Sequence, residues 1–152
     1  MTDDSMAPVR DVSIGAAPVG DSSGVGASVP RTAAEARDRV ETLLDKGIPG
    51  RENEPLDTIL LADVLLVTSE LVTNAIRHGG GLTAFDARLS TDGLTLCVDD
   101  ASLLPPVVTR PADRGRDGTG GFGWPLIRCL AKHVAVTQRP GGKRITAFIA
   151  FG

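Results

Sequence analysis

The chain has 152 residues and a mass of 15.8 kDa, which is the size of one ordinary domain. Its 16 basic and 19 acidic side chains leave a net charge of −3, and residues 1–30 alone account for it, so the rest of the chain is neutral. A neutral domain with 3% aromatic residues and no tyrosine lacks the cationic surface and the stacking platforms of a nucleic-acid-binding protein.

The cysteines and the apolar segments exclude further classes. Cys97 and Cys129 lie in apolar segments and form no metal-type pair, so neither a disulfide framework nor a cysteine zinc site is expected. The acidic start MTDDSM leads into no apolar segment of a secretory signal. The sequence contains no run of about 18 uncharged apolar residues, so no membrane-spanning helix is expected. We therefore expect a cytoplasmic protein with no membrane partner.

Residues 1–30 differ in composition from the rest of the chain. They are rich in Gly, Ser, Ala, Pro and Asp, and their valines follow no period. Such a segment predicts a mostly disordered acidic N-terminal tail, although VRDVSI (residues 9–14) is also compatible with one short edge strand. A single folded domain is expected over residues 31–152.

Two helices are predicted next. TAAEARDRVETLLDKG (residues 32–47) has a capping threonine, strong helix formers and a glycine stop. Its apolar stripe consists of Ala36, Val40, Leu43 and Leu44. After the loop IPGRENEP, residues 55–81 predict a long helix, because apolar residues recur at helical spacing until three glycines end the pattern.

A hairpin and a long loop follow. LTAFDARLS (residues 82–90) and LTLCVDD (residues 94–100) flank a TDG turn and predict two antiparallel strands. Residues 101–121 form a loop rich in proline, glycine and charge. Its length indicates a functional or a disordered segment.

The C-terminal part predicts one more helix and two more strands. WPLIRCLAKH (residues 124–133) is typical of a short helix, with its proline tolerated only in the first turn. HVAVTQ (residues 133–138) and KRITAFIAF (residues 143–151) read as strands around an RPGG turn. Helices and antiparallel strands in this order predict an α+β two-layer sandwich.

A polar motif lies in the long helix. Glu70, Asn74 and His78 are spaced by four residues and share one helix face, while their neighbours are apolar. An amide oxygen suits a hard cation, and a carboxylate can serve as a base toward water or a hydroxyl. Taken alone, however, the spacing favours an ordinary solvent-exposed polar face.

A second motif ends the hairpin. Asp99 and Asp100 follow an apolar strand and directly precede a loop. A carboxylate there is well placed to accept a hydrogen bond from a ligand, although a turn-forming aspartate is the commoner role. Alternation places Cys97 on the face of Asp99 and Val98 on the face of Asp100, so only one of the two carboxylates can face a cleft. Alternation does not say which.

The third motif, GRDGTGGFGWPLI (residues 115–127), concentrates glycines before a helix. Glycines permit close backbone approach, and free N–H groups at a helix N-terminus favour phosphate. No GK[ST] sequence ends the motif, which excludes a Walker A loop, and no parallel βαβ context supports a dinucleotide fingerprint. A flexible hinge loop is an equally good interpretation of the isolated motif.

The order and spacing of the three motifs resemble the GHKL ATPase superfamily, and most closely its small anti-sigma-factor kinase branch. SELVTNAIRHGG (residues 69–80) is similar to the N-box of that branch, VDDASLLPP (98–106) to its next box and GTGGFGWPLIRCLA (118–131) to its last box. GGKRITAFIA resembles its closing strands. The resemblance covers about residues 31–152. It implies the Bergerat ATP-binding fold, in which about three helices cover a mixed, mostly antiparallel sheet.

The resemblance also implies roles for individual residues. Asn74 would coordinate the Mg²⁺ that bridges the nucleotide phosphates, and Glu70 would be the general base. Asp100, rather than Asp99, would accept a hydrogen bond from the adenine amino group. The implied cofactors are therefore ATP and Mg²⁺. The implied ATP-binding residues are Asn74, Arg77, His78, Asp100, Ser102, Gly118, Gly120, Gly121 and Gly123.

The last box departs from the family pattern, because Phe122 and Trp124 stand where an arginine and a leucine are common. Arg114 or Arg116 could replace the missing cation, and core packing of the short helix explains Trp124 and Leu126. Two functions stay open. The first is a serine/threonine protein kinase that phosphorylates an anti-anti-sigma (STAS-type) antagonist and sequesters a sigma factor. The second is a non-catalytic interaction module, nucleotide-bound or nucleotide-free, that regulates transcription. Both are compatible with a homodimer.

Overall fold

A computed structural model describes residues 28–105 and 123–152. The first helix, α1, spans Ala33–Asp45. The hydroxyl of Thr32 caps it by accepting a hydrogen bond from the backbone N–H of Glu35, at 3.1 Å, as the sequence predicts. Ala36 and Val40 are fully buried on its inner face. The predicted stripe is thus the packing surface of α1.

The second helix, α2, spans Thr58–His78. It begins three residues after the Pro55 at which the sequence pattern starts, because the carboxylate of Asp57 caps it by accepting from the N–H groups of Ile59 and Leu60. A side-chain acceptor at this position satisfies otherwise unpaired donors of the first turn. The capping side chain of Asp57 therefore sets the start of α2.

Helix α2 is the central helix of the domain. Within the described residues it is the one helix long and apolar enough to cross a membrane by composition alone. It carries Asp63 and Glu70, and it packs against α1, the third helix and the sheet. Val64, Leu71 and Val72 are fully buried. Its most apolar stretch is 33% buried among the described residues, on the sides that contact α1, the third helix and the sheet.

The strands are β1 (Leu82–Ser90), β2 (Gly93–Asp100), β3 (His133–Arg139) and β4 (Gly142–Ala150). They form one sheet in the order β1-β2-β4-β3. Every pairing between these four strands is antiparallel, so the described part of the sheet contains no parallel pair. The predicted hairpins are both present, and the register of the central pair places Asp100 opposite Lys143.

Helix α3 spans Gly123–Leu130 and joins the loop to β3. It ends earlier than the pattern suggests, and His133 belongs to β3. The backbone N–H of Lys132 donates to the carbonyl of Phe148 on β4, so the chain is already paired with the sheet at that point. Sheet hydrogen bonding therefore ends the predicted helix.

The core lies between the three described helices and one face of the sheet. Strands β2 and β4 direct alternate apolar residues toward the helices, and these are almost completely buried. Trp124 and Ile127 of α3 close the same core. This arrangement confirms the α+β two-layer fold, with every described strand pair antiparallel. The inward residues of the central strands are Leu94, Leu96, Val98, Ile145, Ala147 and Ile149.

The other face of the sheet carries polar side chains and ion pairs. Asp99 accepts two hydrogen bonds from the guanidinium of Arg144, at 2.7 and 3.0 Å. The hydrogen bond to Asp99 raises the pKa of Arg144. The rings of His133 and Phe148 stack with their centroids 6.2 Å apart. A polar face opposite an apolar one is typical of an antiparallel sheet with one face on the core.

The two cysteines should react with alkylating agents at different rates. The Cys97 thiol lies 3.7 Å from the Thr146 hydroxyl on the sheet, whereas Cys129 is exposed on α3. Burial raises the pKa of Cys97, so its reactive thiolate is scarcer at pH 8. We expect iodoacetamide to label Cys129 first and Cys97 several-fold more slowly, as mass spectrometry of the peptides would show. Equal rates in the folded protein would contradict this expectation, and equal rates in urea serve as the control.

Candidate functional site

The end of α2 and the end of β2 are tied together by backbone hydrogen bonds. The N–H of Gly79, which caps α2, donates to the carbonyl of Ala75 at 3.1 Å. The N–H of Ala101, directly after β2, donates to the carbonyl of Gly79 at 2.9 Å. This connection brings the polar residues of α2 beside Asp100. Two motifs that are far apart in the sequence thus meet in one corner of the fold.

Asp100 faces the helices and Asp99 faces away from them, which answers the question that alternation left open. The Asp100 side chain is 4% exposed. Its Oδ1 accepts a hydrogen bond from the N–H of Ser102 at 2.9 Å. Asp100 therefore forms a turn, which is the commoner role of an aspartate at the end of a strand. Its burial under α2 distinguishes it from an ordinary turn aspartate, because buried carboxylates require partners.

The main partner of Asp100 is Lys143, which the sequence analysis did not include in the site. Its Nζ lies 3.1 Å from Oδ1 and 2.9 Å from Oδ2 of Asp100. Both side chains are 4% exposed. Lys143 occupies the position of β4 directly opposite Asp100. A signal existed in the sequence, since the doublet Asp99-Asp100 is matched by a Lys-Arg doublet after the RPGG turn.

A small cavity separates α2 from this ion pair. Its volume is about 10 Å³, which is the space of roughly one water molecule. Residues of the N-box motif and of the second motif line it together. The resemblance implies that these two motifs belong to one site. Its lining residues are Asn74, His78, Gly79, Asp100, Pro105, Lys143 and Ile145.

Glycine at position 79 is a steric requirement of this corner. A Cβ atom there would overlap the Cβ, Cγ and Oδ2 atoms of Asp100, whereas the φ angle of −101° suits any residue. Asp100 cannot withdraw, because Ser102 and Lys143 hold its carboxylate.

We therefore expect Gly79→Ala to lower the free energy of unfolding by about 1–3 kcal/mol, the range for overpacked sites, as measured by urea denaturation. Gly81→Ala provides a contrast, because a Cβ at Gly81 meets nothing within 4 Å and any loss there comes from its φ of +119°. A Gly79→Ala variant as stable as the wild type would contradict the steric explanation.

Glu70 and Asn74 converge on the first residue of α3. A Cβ at Gly123 would overlap Oε1 of Glu70 and would lie 3.7 Å from Oδ1 of Asn74. Both side chains are half-buried, whereas His78 on the same helix face is exposed. Within the part of the chain that the structure describes, neither side chain forms a hydrogen bond or ion pair. Two unused oxygens on one helix face suit a divalent cation with oxygen ligands.

The remaining predicted residues are placed as follows. Arg77 and His78 are exposed at the end of α2, and His78 lines the small cavity while Arg77 does not. Ser102 contributes its backbone to Asp100, and its hydroxyl accepts a hydrogen bond from the N–H of Leu104. Three of the glycines predicted to bind phosphate lie outside the described residues: Gly118, Gly120 and Gly121. Arg114, Arg116 and Phe122 lie outside them as well.

A larger cavity lies elsewhere, between the end of α1 and the loop that precedes α2. Its volume is about 430 Å³, and Leu44, Ile48 and Leu56 line it together with several carboxylates. No group of three or more His, Cys, Asp or Glu side chains in the described ranges could hold a metal ion. None of the three sequence motifs reaches this cavity. Residues of the first two motifs line the small cavity instead, and Asp99 and Asp100 also line a cavity of about 380 Å³ beside the turn between β3 and β4.

The comparisons with known proteins agree with the motifs. The chain matches the family model of the histidine kinase-like ATPase domain over residues 27–149. The Acinetobacter baumannii histidine kinase AdeS is a similar solved structure, with 19% identity and a TM-score of 0.39. That match covers 60% of this chain and 47% of the other, so this chain spans about half the length of the matched structure. No curated protein matches the chain.

Proposed function

This chain belongs to the family of histidine kinase-like ATPase domains, within the GHKL superfamily, and from that premise we propose that it binds ATP with Mg²⁺ as a regulatory protein. The observation that carries the proposal is the corner in which a buried carboxylate, Asp100, lies beside Asn74 on α2. One turn earlier on the same helix, Glu70 adds a second unused oxygen. Asp100 would thus supply a hydrogen-bond acceptor for a base, and Asn74 and Glu70 would supply oxygen atoms for a cation. All three residues lie on helix α2 or strand β2.

Asp100 would bind the base of the nucleotide. Its carboxylate is fixed by Ser102 and Lys143, so no side-chain freedom has to be lost when it accepts a hydrogen bond from the adenine amino group. A preorganised acceptor in a buried corner binds more tightly than a mobile one on the surface. Ile145, which lines the same cavity, supplies apolar surface beside the base.

Asn74 would hold the cation through Oδ1, and Glu70 would act beside it. When bound, Mg²⁺ neutralises charge on the phosphate oxygens and orients them. The Glu70 carboxylate would accept the proton of an attacking hydroxyl. Because Gly123 has no side chain, the backbone of α3 can lie directly against Glu70 and close to Asn74. Phosphoryl transfer then depends on positioning and on one proton acceptor.

The finer proposal concerns partners. The sequence resemblance supports a serine/threonine kinase of the anti-sigma-factor type, whose acceptor is a hydroxyl of a STAS-type antagonist and whose second partner is a sigma factor. We place this activity in the cytoplasm and assign no nucleic-acid or membrane contact to it. A homodimer is compatible with the same proposal.

A second candidate is a non-catalytic module of the same fold. Trp124, which stands in the last box, is 8% exposed and belongs to the hydrophobic core. Its role in packing, predicted from the sequence, is confirmed. The cation that the family pattern has in this box belongs to the arginine position, where this sequence has Phe122. This observation favours a nucleotide-binding or nucleotide-free regulator in which transfer chemistry has been lost.

Calorimetric titration of ATP and ADP, with and without Mg²⁺, tests the proposal. We expect binding that Mg²⁺ strengthens, and Asn74→Ala should remove most of this Mg²⁺ dependence, since one of the few protein ligands of the ion is gone. Asn53→Ala, at an exposed loop position, is the matched control and should bind like the wild type. Absence of heat with every nucleotide would refute nucleotide binding.

A further inference from the structure

We propose that the cavity between the end of α1 and the loop that precedes α2 is a docking site for a partner protein, and that it takes a segment in which basic side chains neighbour aliphatic ones. The cavity has a volume of about 430 Å³, within the range of roughly 300–1,000 Å³ that is usual for ligand sites. It lies at the start of α2, whereas His78 is the last residue of that helix. Docking here is therefore independent of nucleotide binding and goes beyond the proposed function.

The floor of the cavity is aliphatic. Its apolar lining residues come from α1, the loop and α2: Leu44, Ile48, Leu56 and Leu61. Ile48 is 5% exposed and belongs to the hydrophobic core, while the other three are half-buried. Apolar surface that remains accessible in a concavity is stabilised when an aliphatic side chain covers it. The floor therefore favours a partner with side chains such as leucine.

The loop that forms one wall is held in place by hydrogen bonds. The N–H of Arg51 donates to the carbonyl of Ile48 at 2.8 Å, and the N–H of Glu54 donates to the carbonyl of Arg51 at 3.0 Å. The hydroxyl of Thr91, in the turn between β1 and β2, donates to the carbonyl of Pro49 at 2.6 Å. A preformed cavity has little conformational entropy to lose on binding, so docking requires no rearrangement of this loop.

Carboxylates form the rim above the aliphatic floor. Asp45, Glu52 and Glu54 are exposed and line the cavity, and no lysine or arginine stands among its described lining residues. Glu54 lies 3.6 Å from Arg51, and Glu52 accepts a hydrogen bond from the N–H of Gly50. Charges of one sign around a cleft with apolar walls concentrate the potential inside it. The cavity therefore attracts cationic groups.

Asp45 has the most to gain from a cation. It is the last residue of α1, and the last turn of this helix contains no basic residue. The negative end of the helix dipole repels a carboxylate at this position. Across the described ranges, the Asp45 side chain forms no hydrogen bond or ion pair. A basic side chain bound there would neutralise the carboxylate and favour the end of the helix as well.

This combination of floor and rim fits a peptide segment better than a metal ion or the N-terminal tail of the chain. No group of three or more His, Cys, Asp or Glu side chains in the described residues could hold a metal ion, so the rim suits separate cations. Residues 1–27 contain four aspartates and one arginine, so their charge opposes docking here. Arginine and lysine lay their methylene stems along apolar surface, and arginine can bind a carboxylate through two N–H groups. A partner segment with leucine and arginine side chains therefore matches both parts of the cavity.

The probe is a blocked heptapeptide, Gly-Leu-Arg-Gly-Leu-Arg-Gly, titrated into the isotope-labelled full chain while NMR records the amide shifts. We expect a Kd of about 1 mM or below, with the largest shift changes at Gly47, Ile48 and Leu56, which line the cavity. A peptide with serine in place of both leucines should bind at least about fivefold more weakly. A peptide with glutamate in place of both arginines should show no measurable binding, because its charge has the sign of the rim.

Asp45→Asn/Glu52→Gln removes two rim charges and should weaken binding of the leucine–arginine peptide at least about threefold, the effect of two exposed ion pairs. Both positions are exposed, and loss of the charge at the end of α1 favours the helix, so this variant should fold. Asp38→Asn/Asp92→Asn is the matched control. It changes the net charge equally at exposed positions outside the cavity and should keep the wild-type affinity.

Each contrary outcome overturns the docking site. Equal losses in the two double variants would mean that the peptide responds to net charge alone. Equal affinity for the serine peptide would mean that the aliphatic floor takes no part. Absence of binding at millimolar peptide, or shift changes confined to another surface, would place no ligand in this cavity.

Discussion

Lys143→Met is expected to lower the free energy of unfolding by about 3–5 kcal/mol, the usual cost of removing one partner from a buried ion pair. Methionine fills nearly the same space, so the loss of packing is small. The effect comes instead from Asp100, whose carboxylate would stay buried with Ser102 as its one described partner. Against a total of about 5–15 kcal/mol for a domain, this is a large share.

Urea denaturation followed by circular dichroism measures this loss. Lys132→Met is the matched control, because Lys132 is exposed, and surface changes of this kind usually stay within about 0.5 kcal/mol. The double variant Asp100→Asn/Lys143→Met removes both charges and should recover part of the stability. A loss below about 1 kcal/mol in the single variant would mean that the pair contributes nothing to the fold.

Glu70→Gln should lower the rate of the proposed phosphoryl transfer by about 10²–10⁴-fold, the usual contribution of a positioned general base. The amide has almost the shape of the carboxylate, and it cannot accept the proton of an attacking hydroxyl. Nucleotide binding should persist, because Asp100 and Asn74 are unchanged. The loss of rate without loss of binding distinguishes a base from a residue that merely shapes the site.

The measurement is the transfer of labelled phosphate to a hydroxyl-bearing acceptor protein, together with calorimetric binding of ATP. Glu41→Gln, an exposed position on α1, is the control and should act as the wild type. A wild-type rate in Glu70→Gln would exclude the assigned role. Binding of ATP by a wild type that transfers no phosphate would favour the non-catalytic regulator instead.

Most of the fold could be predicted, because the sequence carries its strongest local signals there. Alternation in β2 and β4 and the helical period of α2 determine which residues are buried, and the structure agrees except at the end of α2, where Ile76 is exposed. The boundaries were harder to predict. Asp57 overrides the preceding proline at the start of α2 through two cap hydrogen bonds, and pairing with β4 ends α3 early. Side-chain caps and sheet hydrogen bonds set a boundary at a single residue, whereas a periodic pattern of apolar residues does not define the end of an element that sharply.

The site was predictable in part. The shared face of Glu70 and Asn74 follows from helix geometry, and the inward direction of Asp100 agrees with the assignment that the resemblance implies. Lys143 was missed, because a lysine in a strand is usually exposed and its burial depends on a partner 43 positions away in sequence. The glycines at 118, 120 and 121 lie outside the described residues, so their assignment to the phosphates stays a prediction.

Two acidic neighbours on β2 face two basic neighbours on β4: Asp99 lies opposite Arg144, and Asp100 opposite Lys143. One pair points to the helices and the other to the open face. If β4 slipped by one residue, Arg144 and Phe148 would turn toward the helices, and only one of the two acidic residues would still face a basic residue. The two doublets therefore favour the native alignment of β2 and β4, because only this alignment pairs both acidic residues with basic ones. A chimaera that exchanges β4 without β2 should misalign, so the two strands have to be inherited, or transplanted, as a unit.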